Sequence, residues 1–138
     1  MKQNCSVYLK PEGAYVLSLD MTVARYWLSN GMAIFVPNPD GPALTSAVKE
    51  VLAHSKEGSP LPTSAPEVPE VVRKNKLKSW RALEKGSQLF GVQRVDDQIT
   101  VTINKPYNSG GFVADREEIY PYEKIDEIGV GLLKLVHG

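Results

Sequence analysis

Four prolines fall within the fourteen residues EGSPLPTSAPEVPE, 57–70. A proline has no amide hydrogen to give to a sheet, and its ring breaks a helix interior, so this stretch can extend neither element. It is expected to be an extended, polyproline-like connector at the surface, without regular structure. It divides the chain into residues 1–56 and 71–138. Each piece is small for a core of its own, whereas 138 residues suit one domain that buries roughly two-thirds of its unfolded surface. The expected organisation is one domain, 1–138, with a long surface crossing at 57–70.

Before the connector, residues 5–9 and 14–23 form a hairpin around Pro11, Glu12 and Gly13. In its second arm Tyr15, Leu17, Leu19, Met21 and Val23 alternate with Ser18, Asp20 and Thr22, a period of two that predicts one buried and one wet face. Residues 24–30 fit either a strand or a helical turn. Asn30-Gly31 is a turn signal, and the strand MAIFVP follows it until Pro37 and Pro39. Residues 42–54 carry Leu44, Ala47, Val48, Val51 and Leu52 at i, i+3, i+4, i+7 and i+8, one apolar helical stripe. Asp40 or Gly41 suits its cap, Pro42 its first turn and Gly58 its end.

After the connector, Leu77, Trp80 and Leu83 keep helical spacing, so a short amphipathic helix is expected at 76–85, closed by Gly86. From Gln88 the period changes to two: LFGVQRV and QITVTIN form a hairpin about Asp96-Asp97, with Ile99, Val101 and Ile103 on one face. Asn108-Ser109-Gly110-Gly111 is the next turn and FVADREEIY the returning strand. A closing helix at about 123–136 has Ile125, Ile128, Leu132, Leu135 and Val136 as its buried stripe. Gly129 and Gly131 lie on or beside that stripe, which suggests close packing against the sheet. Hairpins with helices segregated between them give an α+β fold: a mostly antiparallel sheet with about three helices packed on it.

Chemistry is sparse. Two histidines, His54 and His137, and one cysteine show no metal-ligand spacing. His54 suits the negative end of the first helix, and His137 reads as a solvated tail residue. Cys5, alone, precludes an internal disulfide and reads as an inert thiol in a reducing compartment. No G-x-S-x-G elbow and no phosphate loop is present. No segment at the start reads as a secretion signal, and the longest apolar run, MAIFV, is far too short to span a bilayer. The expectation is a cytoplasmic protein that is not an enzyme, takes no cofactor or metal, and engages no membrane.

Sixteen basic residues balance sixteen acidic ones, which argues against a general nucleic-acid binder. The charges are nevertheless segregated. Arg73, Lys74, Lys76, Lys78, Arg81 and Lys85 against Glu84 give 73–85 a net charge of +5. Asp115, Glu117, Glu118, Glu123, Asp126 and Glu127 against Arg116 and Lys124 give 115–127 a net charge of −4. Each run has competing readings. The carboxylates could serve a small hydrolase, a solvated face or a protein-binding patch. Trp80 among cations could be a stacking platform for nucleic acid, but its spacing from Leu77 and Leu83 favours core packing.

The segment SWRALEKGSQLFGVQRVDDQITVTINKPYNSGGFVADREEIYP, followed by DEIGVGLLKLV, resembles immunity proteins of bacterial contact-dependent growth inhibition systems. The features that carry this are a Ser-Trp-x-x-Leu-x-Lys-Gly helix, two strands about a polar turn, a Gly-Gly-Phe strand start and a closing helix that begins Glu-Ile-Gly. They span residues 77–136. The resemblance implies a non-catalytic cytoplasmic inhibitor that binds the toxin domain, often a nuclease, of its own cell's delivered effector. It brings no catalytic residue and no interface residue with it. Tyr107, Phe112, Tyr120 and Tyr122 flank the acidic run and have the chemistry of interface anchors. The expected toxin-binding residues are Asp115, Glu117, Glu118, Tyr120, Tyr122, Glu123, Asp126 and Glu127.

Overall fold

The computed structural model describes residues 1–107 and 110–137, and of His137 the backbone alone. Asn108, Ser109 and the His137 side chain, each given a role above, lie outside the described residues. Six strands form one sheet: β1 (Lys2–Lys10), β2 (Gly13–Met21), β3 (Trp27–Pro37), β4 (Gln88–Val95), β5 (Gln98–Pro106) and β6 (Phe112–Pro121). Their order is β3-β2-β1-β4-β5-β6 and every pairing is antiparallel. Among the described residues four helices accompany them: α1 (Gly41–His54), α2 (Glu70–Lys74), α3 (Trp80–Glu84) and α4 (Ile128–His137), the last preceded by a 3-10 segment, Tyr122–Glu127. This is the expected α+β, mostly antiparallel architecture. The strands on either side of the connector meet at the middle of the sheet, where β1 pairs with β4 from Lys2↔Val95 to Leu9↔Gln88.

The two faces of the sheet are covered differently. Cys5, Val7, Val16, Phe90, Val92 and Val101 pack on one face against Leu44, Val48 and Val51 of α1 and Leu132 of α4. Burying each such side chain is worth about 1.5–3 kcal/mol, so this layer dominates stability. On the other face Tyr8, Tyr15 and Leu17 lie beneath Val68, Val72 and Leu83, with Leu77 and Trp80 partly buried beside them. Trp80 is therefore a core residue, and its indole N–H donates to the Pro66 carbonyl at 2.8 Å.

α1 forms where its stripe placed it. Asp40 accepts the Ala43 amide at 2.8 Å, which satisfies one of the amides left unpaired at a helix start. It ends at Ser55 rather than Gly58. Ser55 is extended, its amide bonds the Leu52 carbonyl, and its hydroxyl donates to the Leu19 carbonyl and accepts the Asn4 amide. The His54 ring lies against the Glu50 carbonyl at 3.2 Å, within the last turn.

Several expectations change. Ser18, assigned to a wet face, is buried because both faces of β2 are covered, and Asn30 Nδ2 supplies its hydroxyl with a partner at 2.9 Å; Thr22, also assigned there, is buried past the end of β2, at its bridge to Ser59. β2 stops at Met21 and Val23 is exposed. Asn30-Gly31 is not a turn but a bulge inside β3: Leu17 faces Ala33 while Leu19 faces Ser29. The chain reverses instead at Thr22–Tyr26, with Arg25 at a φ of 66° and the Tyr26 amide bonded to Thr22 Oγ1.

The helix expected at 76–85 is shorter. Lys76 takes a φ of 68°, which breaks the run, and Ser79 then caps α3 by accepting the Ala82 amide at 3.1 Å. The connector lacks regular structure through its middle, apart from one bridge between Thr22 and Ser59, and turns inward at Val68, which is buried; Glu70 already opens α2. Its entry is fixed by Asp20, whose carboxylate accepts from the Lys56 amide, the Ser59 hydroxyl and Asn30 Nδ2. The closing helix is α-helical only from Ile128. Gly129 packs on α1, not on the sheet: a Cβ there would strike the Gly41 carbonyl and Thr45. Gly131 faces open space.

Candidate interaction surface

The acidic residues lie on the β6 edge of the sheet and on the 3-10 segment that follows it. A strand alternates its side chains between faces, and the pairing assigns each one. Glu118 stands opposite Val101 and Tyr120 opposite Ile99, on the face covered by α1 and α4 (the helix side), whereas Glu117 stands opposite Thr102 on the other. Adjacent in sequence, Glu117 and Glu118 therefore point apart. β6 also bulges between Ala114 and Arg116, where Asp115 is the extra residue.

The net charge of the run overstates its field. Asp126 pairs with Lys49 at 2.8 Å, Glu127 with Lys124 at 3.7 Å and Asp115 with Lys105 at 3.9 Å. Asp126 holds the Lys49 ammonium above the usual lysine range, through their hydrogen bond first and their opposite charges second. Glu118 accepts the Tyr120 hydroxyl at 2.6 Å. That bond, with burial and the carboxylate charge, pushes the Tyr120 phenol up to about 12. Among the described residues Glu117 and Glu123 have no ion-pair partner. Tyr122 is held as a platform: its amide donates to the Asp97 carbonyl at 2.7 Å and the Arg94 guanidinium lies 3.5 Å above its ring.

So the structure brings Glu118 to Tyr120, sets Glu127 in the same depression as Tyr120 and Asp126 against α1, and turns Glu117 away, while Glu123 is exposed on the 3-10 segment. Of the other aromatic candidates, Phe112 packs on the second core cluster, while Tyr107 is exposed. The basic stretch sits with α2 and α3 on the opposite face, where Arg73 pairs with Glu67 and Lys74 with Glu70. Burial drives the Cys5 thiol far above its usual range, as its inert reading requires. No cluster of three His, Cys, Asp or Glu side chains among the described residues could hold a metal ion, and no helix among them is long and apolar enough to cross a membrane.

No protein-family model matches the sequence, and no curated protein matches it significantly. Solved structures do. A chain of the CdiA-CT/CdiI toxin and immunity complex from Yersinia pseudotuberculosis superposes with a TM-score of 0.74 at 18% identity, covering 96% of this chain and 94% of that one. A protein of unknown function from Neisseria meningitidis superposes with a TM-score of 0.72 at 15% identity, covering 96% and 92%.

This chain has their fold. With 96% of this chain covered, the shared architecture reaches well beyond residues 77–136 into the first 70, for which the sequence offered no resemblance.

The sequence also left unread two shallow depressions on the helix-side rim. One, of about 430 Å³, lies between Tyr120 and α4 and includes Lys124, Glu127, Val130, Gly131 and Lys134. The other, of about 600 Å³, lies between α1 and Asp126 and includes Pro42, Thr45, Lys49 and Val130. Val130, 45% exposed, forms the ridge between them. Nothing in the sequence separates Gly131 from Gly129, since both read as close packing; only the structure shows that a Cβ at Gly131 would meet nothing within 4 Å.

Proposed function

We propose that this protein is a cytoplasmic immunity protein that binds and neutralises the toxin domain, a nuclease, of a contact-dependent growth inhibition effector, and that it is a binding protein rather than an enzyme. The observation that carries this is the likeness of fold, over nearly the whole chain, to a chain from a toxin and immunity complex. The resemblance of residues 77–136 to such immunity proteins supports the same reading independently. The site chemistry agrees with it. Three of the acidic-run carboxylates are already ion-paired with lysines and two neighbours point to opposite faces, an arrangement suited to a surface more than to paired acid–base work.

The toxin-binding face in this proposal is Asp115, Glu117, Glu118, Glu123, Asp126 and Glu127 with Tyr120 and Tyr122. A nuclease cleft must be positive to hold phosphates, so a carboxylate-rich edge can enter it as a phosphate mimic, with opposite charge speeding the encounter. The test is co-purification with the toxin domain encoded beside it, followed by charge reversal. Glu117→Lys with Glu118→Lys should weaken binding by about tenfold or more, about 1.4 kcal/mol, while Lys74→Glu with Lys76→Glu should change it little. Binding that survives the first pair and collapses with the second would move the interface to the basic face. Turnover of a substrate by a protein with no toxin partner would end the immunity reading.

A further inference from the structure

The two glycines of α4 are there for different reasons. Gly129 is required inside the molecule, because α1 crosses where its Cβ would stand. Gly131 is not: a Cβ there would meet nothing within 4 Å. In a helix interior glycine is less stable than alanine, so the free protein gains nothing from it. Its bare Cα instead opens the floor of the 430 Å³ depression, with Tyr120 on one side and Val130 on the other. Tyr120 is held there by its bond to Glu118. The rim carries Lys124, already paired with Glu127 at 3.7 Å, and Lys134, which has no ion-pair partner among the described residues. Within an acidic neighbourhood the hollow therefore presents one cation, Lys134, that the molecule itself leaves unpaired among the described residues.

We propose that the depression over Gly131 is the anchor seat for the cognate toxin domain, taking one apolar side chain of the toxin with an acidic toxin residue beside it that meets Lys134. This rests on the immunity reading above and specifies its energetic centre. The acidic rim would guide the approach, and the seat would hold what has arrived, since interface energy concentrates in packed, desolvated pockets.

The seat makes a prediction of opposite signs, which a merely structural glycine would not. Gly131→Ala and Gly131→Leu should raise the melting temperature of the free protein, by about 2 to 4 °C for alanine, because both are better helix formers. Gly131→Leu should at the same time weaken binding of the neighbouring-gene toxin domain by about tenfold or more, and Gly131→Ala by less, as the floor fills. Lys134→Glu should weaken it without altering the fold, and stands in should the leucine variant fail to fold. Calorimetry of the wild-type pair comes first. If wild type binds no such toxin, the immunity reading and the seat fall together. If wild type binds, and a folded Gly131→Leu or the Lys134→Glu variant binds equally well, the seat alone is overturned.

Discussion

The Gly129 amide donates to Thr45 Oγ1 at 2.8 Å, joining α4 to α1 across 84 residues of sequence. The same hydroxyl lies 3.5 Å from the Asp126 carbonyl. One threonine thus positions both the 3-10 segment and the helix that together form the rim of the candidate interface. Thr45→Val keeps the shape but leaves the amide without an acceptor, at a cost of about 1–3 kcal/mol. Thr45→Ser should restore most of it. Gly129→Ala should cost at least as much, because a methyl group there must displace backbone. Urea denaturation of the three variants measures this, and equal stability of Thr45→Val and wild type would refute it.

The opposed directions of Glu117 and Glu118 separate two versions of the interface. If the toxin meets the helix-side rim, Glu118→Lys and Glu123→Lys should each weaken binding by about tenfold, and Glu117→Lys by less than about threefold. Surface plasmon resonance on the three single variants decides. Loss with Glu117→Lys alone would put the toxin on the other face of β6.

Alkaline pH should destabilise the fold through its tyrosines. Tyr8 and Tyr15 are pushed up to about 12, by burial first and by the nearby carboxylates Glu84 and Glu12 second, and Tyr120 to about 12 by its bond to Glu118. Unfolded tyrosines lose their protons near pH 10, so between about pH 10 and 12 the native state holds more protons than the unfolded one. By linkage, stability falls with rising pH across that window; the contribution is full below pH 10 and lost toward pH 12. Denaturation curves at about pH 8, 10 and 11.5 test it, and Tyr120→Phe should lessen the drop. A flat profile would contradict the assignment.

Asp20 should govern the connector. Asp20→Ala strips the acceptor from the Lys56 amide and the Ser59 hydroxyl. Faster hydrogen exchange at residues 56–60 and faster proteolysis within 57–66 are expected, with Asp20→Asn intermediate. Unchanged exchange there would mean that the bridge of Ser59 to Met21 and Val23 holds the segment unaided.

The parts of this fold that were legible in the sequence are those where one physical rule acts alone. β4 and β5 alternate cleanly about Asp96-Asp97, and the stripe of α1 is bounded by Asp40 and Pro42. Reading failed where a second layer reversed the local rule. Ser18 looks wet because it is polar, yet the sheet is covered on both sides there and Asn30 satisfies its hydroxyl from within a bulge. Asn30-Gly31 has turn chemistry, and the chain uses its positive φ for that bulge. For the candidate surface the period of two in ADREEIY already separates Glu117 from Glu118. The i,i+3 spacing of Lys124 and Glu127 is equally local; what no local pattern shows is that Lys49 and Lys105 come to neutralise Asp126 and Asp115, since both pairs depend on tertiary packing.

The central seam of the sheet has a consequence in time. β1 waits for β4, whose partners lie 79 to 93 positions later, from Leu9↔Gln88 to Lys2↔Val95. Contacts of such separation form slowly, because a long loop must close before they add any stability. At about 5–20 residues per second of synthesis, β1 stands on the order of 4–20 s with one edge bare before its neighbour emerges. A bare strand edge invites other strands. A nascent copy is therefore a sticky half-sheet, and its β6 rim is complete only once synthesis has passed residue 121.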